Sequence, residues 1–181
     1  MYSRLAEGAL VNGALRRRMR AFHTSATLIG LHDSVRGGHA LGIGRGQDYR
    51  ITTCLERAGA AAVDVIDLKP ADRRAPLACL EAGYDIVGDF AVIQFLSRWR
   101  VAVAQVARIL RPGGLFHFEV FTPRALERPA VRLLFERCGA EHFTSEDFLR
   151  ELDLNGLPLV WRATRERGQL LMGVAQKPRN D

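Results

Sequence analysis

A chain of 181 residues has room for one domain with a real core and is short for two. Its 48% hydrophobic and 25% charged residues are ordinary for a globular protein, and no apolar run approaches the roughly 20 residues of a membrane-crossing helix, so a spanning protein is not expected. The net charge of +6 is almost wholly arginine, spread along the chain without a dense stripe interleaved with aromatics, so a nucleic-acid partner is not expected either.

The cysteines Cys54, Cys79 and Cys138 are odd in number, far apart and without CxxC spacing. They read as reduced thiols of a cytoplasmic-type environment, and the scattered histidines give no metal site. Residues 4–22 have helical spacing at Leu5, Leu10, Val11, Leu15 and Met19, with Arg16, Arg17, Arg18 and Arg20 placed to suit the negative end of the dipole. The stretch from Arg20 to Ser25 is similar to the end of a mitochondrial presequence. The blander reading is a basic amphipathic helix, so residues 1–30 are expected to form a helical lead-in to a single domain over 1–181.

After a turn-rich stretch ending at Gly37-Gly38, the short apolar segment His39-Ala40-Leu41 runs into Gly42-Ile43-Gly44-Arg45-Gly46. The glycine-led start makes this a poor first strand. Glycines at 42, 44 and 46 let a ligand approach bare backbone, and a strand-to-helix turn of this kind presents amide groups to a polar ligand. A plain tight turn is the structural alternative. The spacing is GxGxG and not the GxGxxG of dinucleotide oxidoreductases, which argues against a nicotinamide cofactor.

A helix is expected over 48–58, and Ala61 to Asp67 reads as a buried strand closing on an acid. Asp67 falls 21 residues after Gly46, a placement suited to ribose hydroxyls. Leu77 to Ala82 suggests a short helix and Asp85 to Gly88 a strand. Trp99 to Leu110 carries a wide apolar helical face, stopped at Arg111-Pro112-Gly113-Gly114, and Leu115 to Phe121 is strand-like. Thr122 to Phe143 reads as a loop. Thr144 or Ser145 is a plausible N-cap for a helix over Phe148 to Leu154, ended by Gly156. Leu157 to Ala163 and Gln169 to Gln176 suggest a closing antiparallel pair around the charged turn Arg165-Glu166-Arg167-Gly168. Strands alternating with helices predict an α/β layered domain with a mainly parallel sheet, whose ligand site lies beyond the carboxyl ends of the strands.

The block from Tyr84 to Phe95, Trp99-Arg100, and the helix ending Arg108-Ile109-Leu110-Arg111-Pro112-Gly113-Gly114 resembles class I S-adenosylmethionine-dependent methyltransferases. The resemblance spans roughly residues 4 to 178. It implies a three-layer, Rossmann-like methyltransferase fold and S-adenosylmethionine as cofactor. By match of position, Gly42, Ile43, Gly44, Arg45, Gly46, Asp67 and Leu68 would hold the cofactor, while Asp89 and Phe90 would flank its sulfonium. Glu119 would face the acceptor, and Asp89 and Glu119 are the candidate catalytic acids. His117, mid-strand, is expected to pack. The implied activity is methyl transfer to a small-molecule acceptor; the alternative is a shortened, non-catalytic domain that binds a partner.

Two departures sharpen this. The acid that the family usually carries two residues before its first motif glycine is Ala40 here. Only 16 residues lie between Asp67 and Tyr84, where the family fits a helix, a strand and another helix. A parallel crossover takes about a dozen residues, so one return fits and three elements do not. Six strands are therefore expected, with the family's edge strand missing and the adenine side open.

Overall fold

The computed structural model describes residues 35–44, 49–67, 77, 80–138 and 142–180. The expected lead-in over 1–30 lies outside them. Six strands form one sheet: β1 (His39–Gly44), β2 (Ala62–Asp67), β3 (Tyr84–Phe90), β4 (Leu110–Phe121), β5 (Leu159–Arg165) and β6 (Leu170–Gln176). Their order is β2-β1-β3-β4-β6-β5, parallel through β4 and antiparallel for β6 and β5. Four helices are described: α1 (Tyr49–Arg57), α2 (Trp99–Ile109), α3 (Pro129–Cys138) and α4 (Ser145–Leu154).

Strand alternation sorts the core into two layers. On one face Leu41, Ile43, Val87, Phe116 and Phe118 pack against Val103 and Val106 of α2 and Phe148 and Leu152 of α4. On the other, Ala40, Ile86, Phe90, Leu115 and Val174 meet Cys54, Leu55 and Ala58 at α1. The expected three-layer architecture and six-strand count are both present.

The first strand forms despite its glycine-led start, because a carboxylate anchors it. Asp85 Oδ2 accepts the His39 backbone N–H at 2.6 Å, and its other oxygen pairs with Arg111. Asp85 thus ties the starts of β1, β3 and β4 together. A Cβ at Gly38 would lie 2.7 Å from Asp85 Cγ, so glycine is required for this approach.

The expectation of a buried second strand is corrected. β2 is the sheet edge, and Ala62, Asp64 and Val65 are exposed, Val65 by 37%. Its apolar residues resemble those of a buried parallel strand, but no strand among the described residues pairs beyond it. The short helix expected over Leu77 to Ala82 is also absent from the described residues: Leu80 N–H reaches Leu77 O in a single turn, and residues 80–83 are not helical. Side chains of α2 hold this return instead, Arg108 donating to the carbonyls of Leu77 (2.9 Å) and Leu80 (3.0 Å).

Arg111 to Gly114 does end α2 as expected, yet it forms the irregular start of β4, with a register shift between Tyr84 and Ile86. Gly113 takes φ 79° there, a conformation costly for other residues. Lys177 Nζ donates to the carbonyls of Ala107 and Leu110, both at 2.7 Å, covering the negative end of α2. The expected loop from Thr122 to Phe143 contains the 3₁₀ turn Pro123–Glu127 and then α3.

Candidate functional site

The parallel strands end at one edge of the sheet, and their register sets the candidate residues in a row. Gly44 pairs with Asp67, Ile43 with both Ile66 and Asp89, Phe90 with Glu119, and Glu119 with Met172. Gly42 lies opposite Gly88. Bare backbone at Gly42 and Gly44 therefore sits between the end of β2 and the end of β3. Arg45, Gly46, Leu68 and the Asp67 side chain lie outside the described residues.

Register and alternation place the two candidate acids on opposite faces of the sheet. Asp89 lies on the side of Val87 and Phe118, against α2, whereas Glu119 lies beside Phe90 on the α1 side. Both are fully buried. Asp89 Oδ1 accepts the backbone N–H groups of Val92 (2.9 Å) and Ile93 (3.1 Å), fixing the turn that leaves β3. Ala91 within that turn has φ 60°, a strained conformation for a residue with a side chain.

The α1 face carries an unusual set of buried polar groups. His117 and Glu119 point there by alternation from Leu115, and Cys54 comes from α1. Burial holds the His117 imidazole neutral, with its pKa pushed down to about 3. The Cys54 thiol is pushed up to about 12, first by burial and then by the Glu119 carboxylate. Phe90 and His117 lie with ring centroids 6.1 Å apart. This face thus combines a neutral imidazole, a protonated thiol and the Glu119 side chain beneath the row of strand ends.

Gln94 was not singled out by the sequence. It is fully buried, and its Oε1 accepts the Phe121 N–H at 2.7 Å, joining the turn after β3 to the end of β4. One amide inside the apolar run Ala91 to Leu96 was the available signal. Among the described residues no group of three His, Cys, Asp or Glu side chains is placed to hold a metal ion. No helix among them is long and apolar enough to cross a membrane.

No family model and no curated protein matches the chain by sequence. Solved structures do match in three dimensions. The 1,6-didemethyltoxoflavin-N1-methyltransferase of Burkholderia thailandensis, solved with 1,6-didemethyltoxoflavin and S-adenosylhomocysteine, superposes with TM-score 0.61 at 19% identity, covering 98% of this chain and 89% of that one. An S-adenosylmethionine-dependent methyltransferase of Mesorhizobium loti gives TM-score 0.62 at 17% identity, covering 79% and 92%. A chain from the Haloferax volcanii complex of the Trm112 methyltransferase activator with a proposed methyltransferase gives 0.65 at 12%, covering 93% and 96%. The chain has the class I methyltransferase fold.

In that fold the resemblance noted from Tyr84 to Gly114 corresponds to β3, α2 and the start of β4. β2, at the edge of the sheet, is where the family's additional strand would pair, in keeping with the short return between Asp67 and Tyr84. Among the described residues the sheet thus ends at β2 on this side, while β3 and β4 at its centre stay buried.

Proposed function

We propose that the chain transfers a methyl group from S-adenosylmethionine to a small-molecule acceptor. The observation that carries this reading is the row of strand ends: Gly44 beside Asp67, Ile43 beside Asp89, and Phe90 beside Glu119. Gly42 and Gly44 offer backbone without side chains, as a cofactor seated close to the strand ends requires. Ile43, Arg45, Gly46 and Leu68 would complete the seat, Asp67 would take the ribose hydroxyls, and Phe90 would lie beside the methyl-bearing end. When bound, the cofactor supplies an electrophilic methyl group.

The residues of the chain then bind and orient. Asp89 fixes the backbone of the turn that follows β3 through two amide bonds, so its part is positioning. Glu119 is the acid that remains for the acceptor, either as its general base or to orient it. His117, kept neutral by burial, lines the layer beneath it. Methyl transfer is an in-line displacement that depends above all on proximity and alignment, and fixed turns serve that need.

Calorimetry with S-adenosylhomocysteine tests the reading. Binding is expected, weakened about tenfold or more by Asp67→Ala through lost ribose hydrogen bonds. Absence of heat at millimolar ligand would reject it. The second reading, a non-catalytic partner-binding domain, draws on Ala40 and on the exposed edge strand β2. It predicts no methyl transfer to any acceptor.

A further inference from the structure

The turn between β5 and β6 lies at the same edge of the sheet as the proposed site, because Arg165 and Phe121 both pair with Leu170. It is docked there by Thr122, which follows β4. Thr122 Oγ1 donates to Gly168 O at 2.6 Å, and Thr122 N–H donates to Gln169 O at 3.0 Å. Two consecutive residues of the turn, Glu166 (φ 52°) and Arg167 (φ 59°), hold left-handed backbone without being glycine. Left-handed backbone at consecutive positions is what a tight hairpin turn requires, and the contacts from Thr122 hold it here although neither residue is glycine.

The strained turn gathers arginines. A Cβ at Gly168 would lie 3.6 Å from Arg124 Nη1, so the Arg124 guanidinium rests on the turn. Arg128 Nη1 lies 3.9 Å from Glu166 Oε2, and that is the ion pair formed across this contact. Arg124, Arg165 and Arg167 are exposed and have no acidic partner among the described residues. The patch therefore holds more cation than its own acids neutralise.

We propose that the methyl acceptor carries a compact anionic group, a phosphate or a carboxylate, received by Arg124 and Arg167 beside the carboxyl end of β4. This rests on the methyl-transfer reading above. Guanidinium groups suit both anions through paired N–H donors, and the bonds from Thr122 fix the backbone of the turn that carries Arg167.

The test uses the full chain, with inorganic pyrophosphate and malonate as probes in low salt and S-adenosylhomocysteine titrated separately. At least one anion is expected to bind, the stronger of the two identifying the group, and Arg124→Glu/Arg167→Glu to weaken it about tenfold or more. Arg124→Lys/Arg167→Lys should retain part of the binding, and S-adenosylhomocysteine affinity should stay within about twofold of wild type in both variants, since the patch lies outside the proposed cofactor seat. Neither anion binding, or equal binding by the charge-reversed chain, overturns the proposal. Tight, steeply salt-dependent binding of a short RNA with no response to either small anion overturns it as well. Anion binding lost on charge reversal, without any S-adenosylhomocysteine binding, would keep the anion site and reject the methyl-transfer reading beneath it.

Discussion

Asp89 Oδ1 accepts the Val92 backbone N–H at 2.9 Å, and the Ile93 N–H at 3.1 Å from the same oxygen. One carboxylate thereby sets the path of the chain as it leaves the central strand. The arrangement separates two roles that the sequence assigned to Asp89 together, flanking a cofactor and serving as a catalytic acid. A carboxylate whose oxygen is engaged by two amides suits positioning better than proton transfer.

Asp89→Asn keeps an acceptor oxygen and is expected to retain the fold, with S-adenosylhomocysteine affinity within a few fold of wild type. Asp89→Ala leaves two buried amides without their acceptor and should cost about 3 kcal/mol. Urea denaturation of the two variants reads the difference. Equal loss in both would show that the amide bonds are not what the fold requires of this residue.

Cys54 is buried, and its thiol is held up to about 12 by burial and then by Glu119. Only the thiolate alkylates, so the native protein at pH 8 should leave Cys54 unmodified by iodoacetamide, while the urea-unfolded chain reacts readily. Peptide mapping by mass spectrometry follows this cysteine separately from Cys79 and Cys138. Rapid native labelling at Cys54 would contradict the buried placement.

The central strands were legible as short apolar runs, Asp85 to Gly88 and Leu115 to Phe121, and the six-strand count followed from the 16 residues between Asp67 and Tyr84. Burial of β2 was not, since Val63, Val65 and Ile66 look the same whether or not another strand pairs beyond them. The separation of Asp89 from Glu119 depends on the pairing of Phe90 with Glu119, and register is a tertiary property absent from either strand alone. Helix α3 escaped notice because Val131, Leu133, Leu134 and Phe135 form a nearly continuous apolar run, without the spaced pattern that marks one buried helix face. The basic patch was invisible for a related reason. Arg124 meets the turn that carries Arg167 through Gly168, a contact made by the docking of two turns and not by nearness in sequence.

Helix α4 begins with a reciprocal cap. Thr144 Oγ1 accepts the Asp147 N–H at 3.0 Å, and Asp147 Oδ2 accepts the Thr144 N–H at 3.0 Å. Thr144→Ala should cost about 1 kcal/mol. The hydrogen bonds from Thr144 hold the Asp147 carboxyl below its ordinary 3.8, so its contribution is complete above that value and is lost as pH falls through the lower folded value. The stability advantage of wild type over Asp147→Asn should therefore shrink in acid, as urea titrations across that range would record.

Gly173 is imposed by packing. A Cβ there would collide with the Phe118 ring, which lies 5.0 Å from the Phe148 ring, centroid to centroid. Because Phe118 sits between β6 and α4, it has little room to yield. Gly173→Ala should destabilise by about 1–3 kcal/mol, the usual range for overpacking. Combining it with Phe118→Leu should recover part of that loss, and a double-mutant cycle by thermal denaturation measures the coupling.

His117 gives the protein an acid sensitivity whose sign is fixed by burial. Its folded pKa is about 3, against 6.5 for a free imidazole, and burial is the cause. Between those values the unfolded chain takes up a proton that the folded chain refuses. The unfolded state therefore binds more protons, and stability falls as pH drops, with a slope of up to about 1.4 kcal/mol per pH unit from this one group. The contribution is complete above 6.5 and declines towards the folded value. His117→Phe places a nonionisable ring beside Phe90 and removes this slope, leaving a constant offset from altered packing. Urea denaturation midpoints between pH 7 and pH 4 should accordingly fall less steeply for the variant than for wild type. Parallel curves would mean that the imidazole is protonated in the folded state, with an anionic group compensating it inside the α1 face.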